Sequence, residues 1–372
     1  MDPLLPLLAE HFGTSAGGAS AVITAFAVAY GALQIVNGPL SDRIGKFRMV
    51  FCVTAISAAG NLACAFAPTL PLLVAARFAT GAMVGAIVPL SIAWIGDVVP
   101  YERRQPVLAR FLIGNMLGLA LGTTASGLLG EYFGWRAIFF ALTGLYVVTA
   151  ALLWFELQTN PATRQAAKAA ESIAQAFLRM VGLTRTPWVR VVLAVVFTEG
   201  MLLNGPLAFA AYHAHQNLGM GIAASGMLIA AFAAGGLVYA GIAGRLVPRL
   251  GEKGLVLAGG MCIGIGYMSL ALAPGPGVAV ASLMTLGAGL YMLHNTLQVH
   301  ATQMAPESRG AAVALFAFFL FSGQSTGIWL ASNLVDAIGT RPVFGISAIG
   351  LPLLALEFRR RLAGRRPPAG AV

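Results

Sequence analysis

The chain has 372 residues, 58% of them hydrophobic and only 10% charged, with 45 glycines and a formal net charge of +10, against roughly 25% charged residues in soluble domains. That excludes an ordinary water-soluble enzyme and sets the class as a polytopic, all-α membrane protein. The positive balance does not mark a nucleic-acid binder, because the basic residues sit in short clusters between apolar runs rather than on one basic domain.

In chain order, apolar runs broken by Gly, Pro and charge predict eleven transmembrane helices, near residues 18–38, 49–67, 71–98, 106–129, 137–156, 190–211, 222–244, 254–273, 277–299, 309–334 and 342–357. Ahead of them lies "MDPLLPLLAEHFGTS", too short for a span and without the basic region of a signal peptide. Residues 200–244 and 254–306 contain no Asp, Glu, Lys or Arg, and at about 20 residues per crossing each holds two spans. Residues 157–189 read as a polar linker carrying an interfacial amphipathic helix, with a disordered linker as the alternative.

The connections alternate in charge. One set carries Arg43, Lys46 and Arg48, then Arg103, Arg104 and Arg110, the linker bases, Arg245 to Lys253, Arg309 and the tail Arg359 to Arg366, which is 20 of the 23 basic residues. The positive-inside bias places that set and the C-terminus in the cytoplasm. Arg77 is left within a span.

A self-comparison at a shift of 205 residues aligns Glu102 with Glu307, Arg104 with Arg309, Gly118 with Gly323, Gly122 with Gly327, Gly134 with Gly339 and Arg136 with Arg341. One register argues for duplication. The expected organisation is a first bundle at 1–156, the linker at 157–189, a six-helix bundle at 190–358 and a basic tail at 359–372. The first bundle lacks most of one helix, so about 20 residues are expected upstream of a mis-set start, with a real truncation as the alternative.

Several side chains stand out on physical grounds. Ionisable residues within the bilayer are costly, so Glu199 and Arg77 need a reason to be there. Glu199 reads as a proton or substrate site, or as a neutral acid bonded to a neighbouring helix. Arg77 reads equally as a holder of a buried acid, of an anionic substrate or of backbone carbonyls. His294 is a packed polar residue or a proton relay. Tyr291, Asn295 and Gln298 fall at i, i+4 and i+7 on one helix face. Gly114, Gly118 and Gly122 form a smooth stripe for close helix crossing, echoed by Gly323 and Gly327. Cys52, Cys64 and Cys262 lie in apolar runs and read as packing residues. His213 and His215 are too few for a metal site.

The motif "GPLSDRIGKFR" (Gly38, Asp42, Arg43, Gly45, Lys46, Arg48) resembles the cytoplasmic signature between helices 2 and 3 of the major facilitator superfamily. "ARFATGAMVGA" (Arg77, Gly81, Gly85) resembles that family's helix 4 motif. "GLALGTTASG" is similar to its helix 5 antiporter motif, with Thr123 in place of the motif's proline and Ser126 in place of a glycine. "DPLLPLLAEHFGTS" resembles the end of helix 1 and its loop in bacterial drug-efflux members. The resemblance implies two six-helix bundles related by a pseudo-two-fold axis in a bacterial inner membrane. It implies a cytoplasmic conformational latch at the signature, to which Asp97 is added as a partner of Arg43, and Arg104 as a partner of Glu102. Helices 1, 4, 7 and 10 would line a central cavity, which makes Arg77, Glu199, Asn204, Tyr291 and Asn295 the pathway candidates, with Gln34, Tyr30 and Gln324 secondary.

The function implied is proton-coupled export of a small organic compound by alternating access, by a monomer in the lipid bilayer, with no cofactor or metal beyond the proton. An uptake or facilitative carrier and a non-transporting truncated copy are the alternatives. An intramembrane enzyme is least favoured, because the acids are scattered.

Overall fold

The computed structural model describes residues 2–163, 173–305 and 309–364, and every regular element among them is helical. Part of the linker, residues 306–308 and the end of the basic tail lie outside the described residues, as do the surroundings of Gly38 and the side chains of Asp42 and Arg104. A 3-10 turn leads into α1 (Leu5–Phe12), whose eight residues span about 12 Å, well under a crossing. Then come α2 (Ala16–Ala32) and α3 (Gln34–Ile44), one column bent at Leu33, and α4 (Lys46–Ala65). A second bent column is made of α5 (Leu70–Val84) and α6 (Ile87–Val98), followed by α7 (Tyr101–Phe133) and α8 (Arg136–Thr159).

The linker contributes α9 (Ile173–Leu183), which rests on α3 and α15. Its Met180 enters the core of the second half, while Phe177, Leu178 and Val181 stay exposed. The second half opens with α10 (Pro187–Glu199), a π-helical turn (Gly200–Asn204), α11 (Gly205–Leu207) and α12 (Ala210–Leu218) in one column. It continues with α13 (Ile222–Ala271), α14 (Pro276–Gln303), α15 (Arg309–Ile338) and α16 (Thr340–Gly364).

The 50 residues of α13 would reach about 75 Å if straight, over twice the hydrocarbon thickness. Gly251 prevents this: at φ 61° and ψ 179° it turns the chain back. Both parts then pack on α14, the first through Gly235 and Gly236, the second through Gly259 and Gly266. Eight stretches of the described residues are long and apolar enough to cross a membrane, and α13 supplies two crossings. The column α2–α3 and helix α7 complete the eleven crossings expected from hydropathy.

Duplication is written in the backbone. Among the described residues the six positive-φ glycines pair 205 or 206 residues apart: Gly13 with Gly219, Gly45 with Gly251, and Gly134 with Gly339. Each pair turns the chain at equivalent corners, where a side chain would be strained. The halves meet along α2 on α15 and α7 on α13. At the end remote from the basic clusters, Leu4, Leu8, Val22 and Trp135 share one core with Phe209, Ile328, Val335 and Val343. At the basic end the cores separate, with Met49, Val50, Val53 and Leu90 in the first half and Tyr239, Leu255 and Met292 in the second.

The α7–α13 seam shows the same asymmetry. A Cβ added at Gly127 would press on Ile222 and Gly226, whereas one at Gly114, Gly118 or Gly122, or at Gly241 or Gly244, would meet nothing within 4 Å. The expected crossing stripe of Gly114, Gly118 and Gly122 is therefore not in contact in this conformation. At about 100° per residue these three glycines lie about 140–180° around α7 from Gly127, so they face away from α13, and the crossing is made by the face that carries Thr123 and Gly127. On α13, Gly244 does share the face of Gly226 and meets nothing within 4 Å, so this seam is packed at the far end and parts toward the basic end.

Candidate functional site

The second half holds a buried pair of ionisable side chains at mid-depth. Glu199 ends α10, about 18 Å along the column from Pro187, and is 0% exposed. Its Oε2 lies 3.0 Å from Nδ1 of His294 on α14, and its Oε1 is buried with no hydrogen-bond partner. His294 also packs at 5.7 Å on the ring of Phe316 from α15. A carboxylate so enclosed needs a proton or a donor for its second oxygen.

The local chain explains why the carboxylate is aimed inward. Pro206 has no N–H to give and its ring crowds the carbonyl four residues back, so a regular helix cannot run through it. The π turn Gly200–Asn204 absorbs the misfit directly after Glu199. The buried hydroxyl of Tyr267, on the second part of α13, donates to the Leu203 carbonyl within that turn. Gly323 and Gly327 of α15 let the turn lie against their backbone, since a Cβ on either would collide with the carbonyl of Phe197 or Met201. Of the expected glycine contacts, these two are made.

Arg77 is buried on α5 in the first half, 7% exposed, with its guanidinium 4.1 Å from the ring centroid of Phe26 on α2. Its Nε has no hydrogen-bond partner. Gly81 lies flat on the backbone of Phe26, and Gly85 on that of Tyr30. The break between α5 and α6 is answered as in the second half: Gln34 Nε2 donates to the Gly85 carbonyl at 2.9 Å. Each half thus has an interrupted column whose freed carbonyl is met by a side chain from a neighbouring column. Arg77 and Glu199 form no ion pair with one another among the described residues.

The other pathway candidates are dispersed. Asn204 is half-buried in the π turn, Tyr291 is half-buried with its ring against Gly236, and Asn295 is exposed. At the Gly38–Arg48 signature the ion pair is made by Lys46, whose Nζ is 2.5 Å from Asp97 Oδ2. The expected Arg43–Asp97 partnership is corrected accordingly. Gly45, at φ 93°, turns the chain between α3 and α4, and it is Lys46 at the start of α4 that reaches α6. The Arg104–Glu102 pairing falls on side chains outside the described residues. Among the described residues no group of three or more His, Cys, Asp or Glu could hold a metal.

Tyr267 was not singled out by sequence reasoning. A lone tyrosine in an apolar run carries no signal beyond its hydroxyl, which must find a partner once buried.

Two helical bundles with interrupted columns around buried ionisable groups define a multi-pass membrane carrier. The chain belongs to the Major Facilitator Superfamily, whose family model matches residues 1–328. A chloramphenicol resistance protein of Streptomyces lividans is 26% identical over 331 residues, covering 83% of this chain and 76% of that protein. The uncharacterized transporter YgaY of Escherichia coli is 28% identical over 153 residues, so the alignment spans only 41% of this chain and 39% of YgaY. In three dimensions the chain is similar to the nucleoside transporter NupG, with a TM-score of 0.80 at 14% identity over 96% of this chain and 94% of that one. The likeness to NupG shows the fold alone. The chain is a multi-pass membrane transporter of this superfamily.

Proposed function

We propose that this transporter exports a small organic compound in exchange for protons, with the Glu199–His294 pair carrying the proton. The observation behind this reading is the fully buried Glu199 carboxylate, held on one oxygen by His294 at 3.0 Å and unsatisfied on the other. The basic end is cytoplasmic on the charge bias, so the basic-end opening of the α7–α13 seam faces the cytoplasm, where an export substrate is loaded. Arg77 over Phe26 offers a cationic and aromatic surface in the opposite half. The name of the Streptomyces relative supports a drug-like compound as cargo.

The test uses purified protein in liposomes containing a pH-sensitive dye, with chloramphenicol as the probe. Chloramphenicol movement coupled to a proton flux of opposite direction is expected from the parent, and none above background from Glu199→Gln. His294→Ala is expected to retain facilitated exchange while losing uphill movement. An unchanged proton dependence in Glu199→Gln would remove the pair from the mechanism, and a proton flux in the same direction as the drug would make the carrier an importer.

A further inference from the structure

The closed far end is fastened by two acids that the pathway does not use. Asp336, at the end of α15, receives the backbone N–H of Gly17 on Oδ1 at 3.1 Å and the hydroxyl of Ser15 on Oδ2 at 2.6 Å. Ser15 is itself the N-cap of α2, accepting from the N–H of Gly18 at 2.9 Å. On the opposite seam, Glu131 at the end of α7 receives the N–H of Ala223 in the first turn of α13, on Oε2 at 2.5 Å. Glu131 and Asp336 are 205 residues apart, the register of the internal repeat. Each therefore projects from the last turn of a helix in one half onto the first turn of a helix in the other.

The physics of the two contacts is the same. The first N–H groups of a helix have no partner within it and carry the positive end of the helix dipole, so an acid across the seam serves both as hydrogen-bond acceptor and as counter-charge. The small residues at these points bring the groups within reach. A Cβ on Gly17 would strike the Asp336 carboxylate and the Ser332 carbonyl, and one on Gly221 would come within 3.2 Å of Glu131. When the far end opens, both contacts must break and the N–H groups turn to water.

We infer that Glu131 and Asp336 form a two-fold-related latch that holds the far end shut, biasing the carrier toward the conformation open at the basic end. The inference rests on alternating access in this family fold and not on the proton reading, so failure of the Glu199 experiment would leave it standing.

The experiment reads opening directly. Ala208, buried in the core shared by both halves under the latch, is replaced by Cys in a chain whose Cys52, Cys64 and Cys262 are changed to Ser. A membrane-impermeant maleimide is then added from the far side of oriented vesicles. Glu131→Ala and Asp336→Ala are each expected to raise the labelling rate about threefold to tenfold, the usual range for losing a helix cap, and to multiply in the double variant. Glu131→Gln keeps an acceptor oxygen without the charge, and its rate should fall between parent and Ala; it also serves if the Ala variants fail to fold. Glu10→Ala, which removes an exposed acid with no such contact, is the control. An unchanged rate in the Gln and double variants, or an equal rise with Glu10→Ala, would overturn the latch.

Discussion

At the scale of single residues, the buried pair Glu199 and His294 differs in how far each partner is legible in the sequence. Glu199 is conspicuous in any sequence reading, because an acid amid an apolar run has no cheap resting place. Its partner His294 was not assignable: residues 95 apart in sequence meet only through the register of α10 against α14, which hydropathy does not encode. The same holds for Lys46, which takes Asp97 in place of Arg43 for reasons of turn geometry at Gly45. Tyr267 gives a clean test at this scale. Tyr267→Phe keeps the ring in its core and removes only the donor to the Leu203 carbonyl, leaving a buried acceptor unmet. A loss of about 1–3 kcal/mol is expected, read as a lower unfolding midpoint in detergent. An unchanged midpoint would mean that the π turn finds another donor.

At the scale of helices, hydropathy and charge bias located the eleven columns, since length and polarity are all that a membrane crossing demands. The interruptions escaped that reading. A bend at Leu33, a break at Gly85 and a π turn after Glu199 leave mean hydropathy untouched, yet they free the carbonyls that Gln34 and Tyr267 then occupy. Glycine spacing was legible as a motif but not as a contact, because spacing alone does not say which face of a helix meets its neighbour. This yields a paired prediction. Gly323→Ala pushes a methyl into the Phe197 carbonyl, against a backbone that cannot give way, and is expected to cost about 1–3 kcal/mol or more. Gly118→Ala meets nothing within 4 Å and should leave stability unchanged or raise it by up to about 1 kcal/mol through helix propensity. Thermal unfolding of the two variants side by side measures the contrast. Equal losses would mean that the Gly118 face of α7 is packed against a neighbour in solution.

For the molecule as a whole, the repeat was readable from the six aligned pairs, and the structure extends it to two further pairs of turn glycines and to the two latch acids. Those acids escaped notice because they sit in sparsely charged connections, where an acid reads as ordinary loop polarity; only their shared register with the repeat marks them. Their placement turns an architectural symmetry into a mechanical statement. If each half moves as a body, the far end and the basic end are opposite sides of one rocking motion, and loosening one must bring the other together. Spin labels at Arg110 on α7 and Arg245 on α13, both exposed near the basic end, report that end by pulsed dipolar spectroscopy. The parent is expected to show a dominant long distance. Glu131→Ala combined with Asp336→Ala should add or enlarge a shorter population, by the same factor by which far-side labelling of Ala208→Cys rises, since one equilibrium governs both. A latch that loosens only locally predicts faster labelling with the long distance unchanged. The equality of the two factors, more than either measurement alone, decides whether the halves move as rigid bodies.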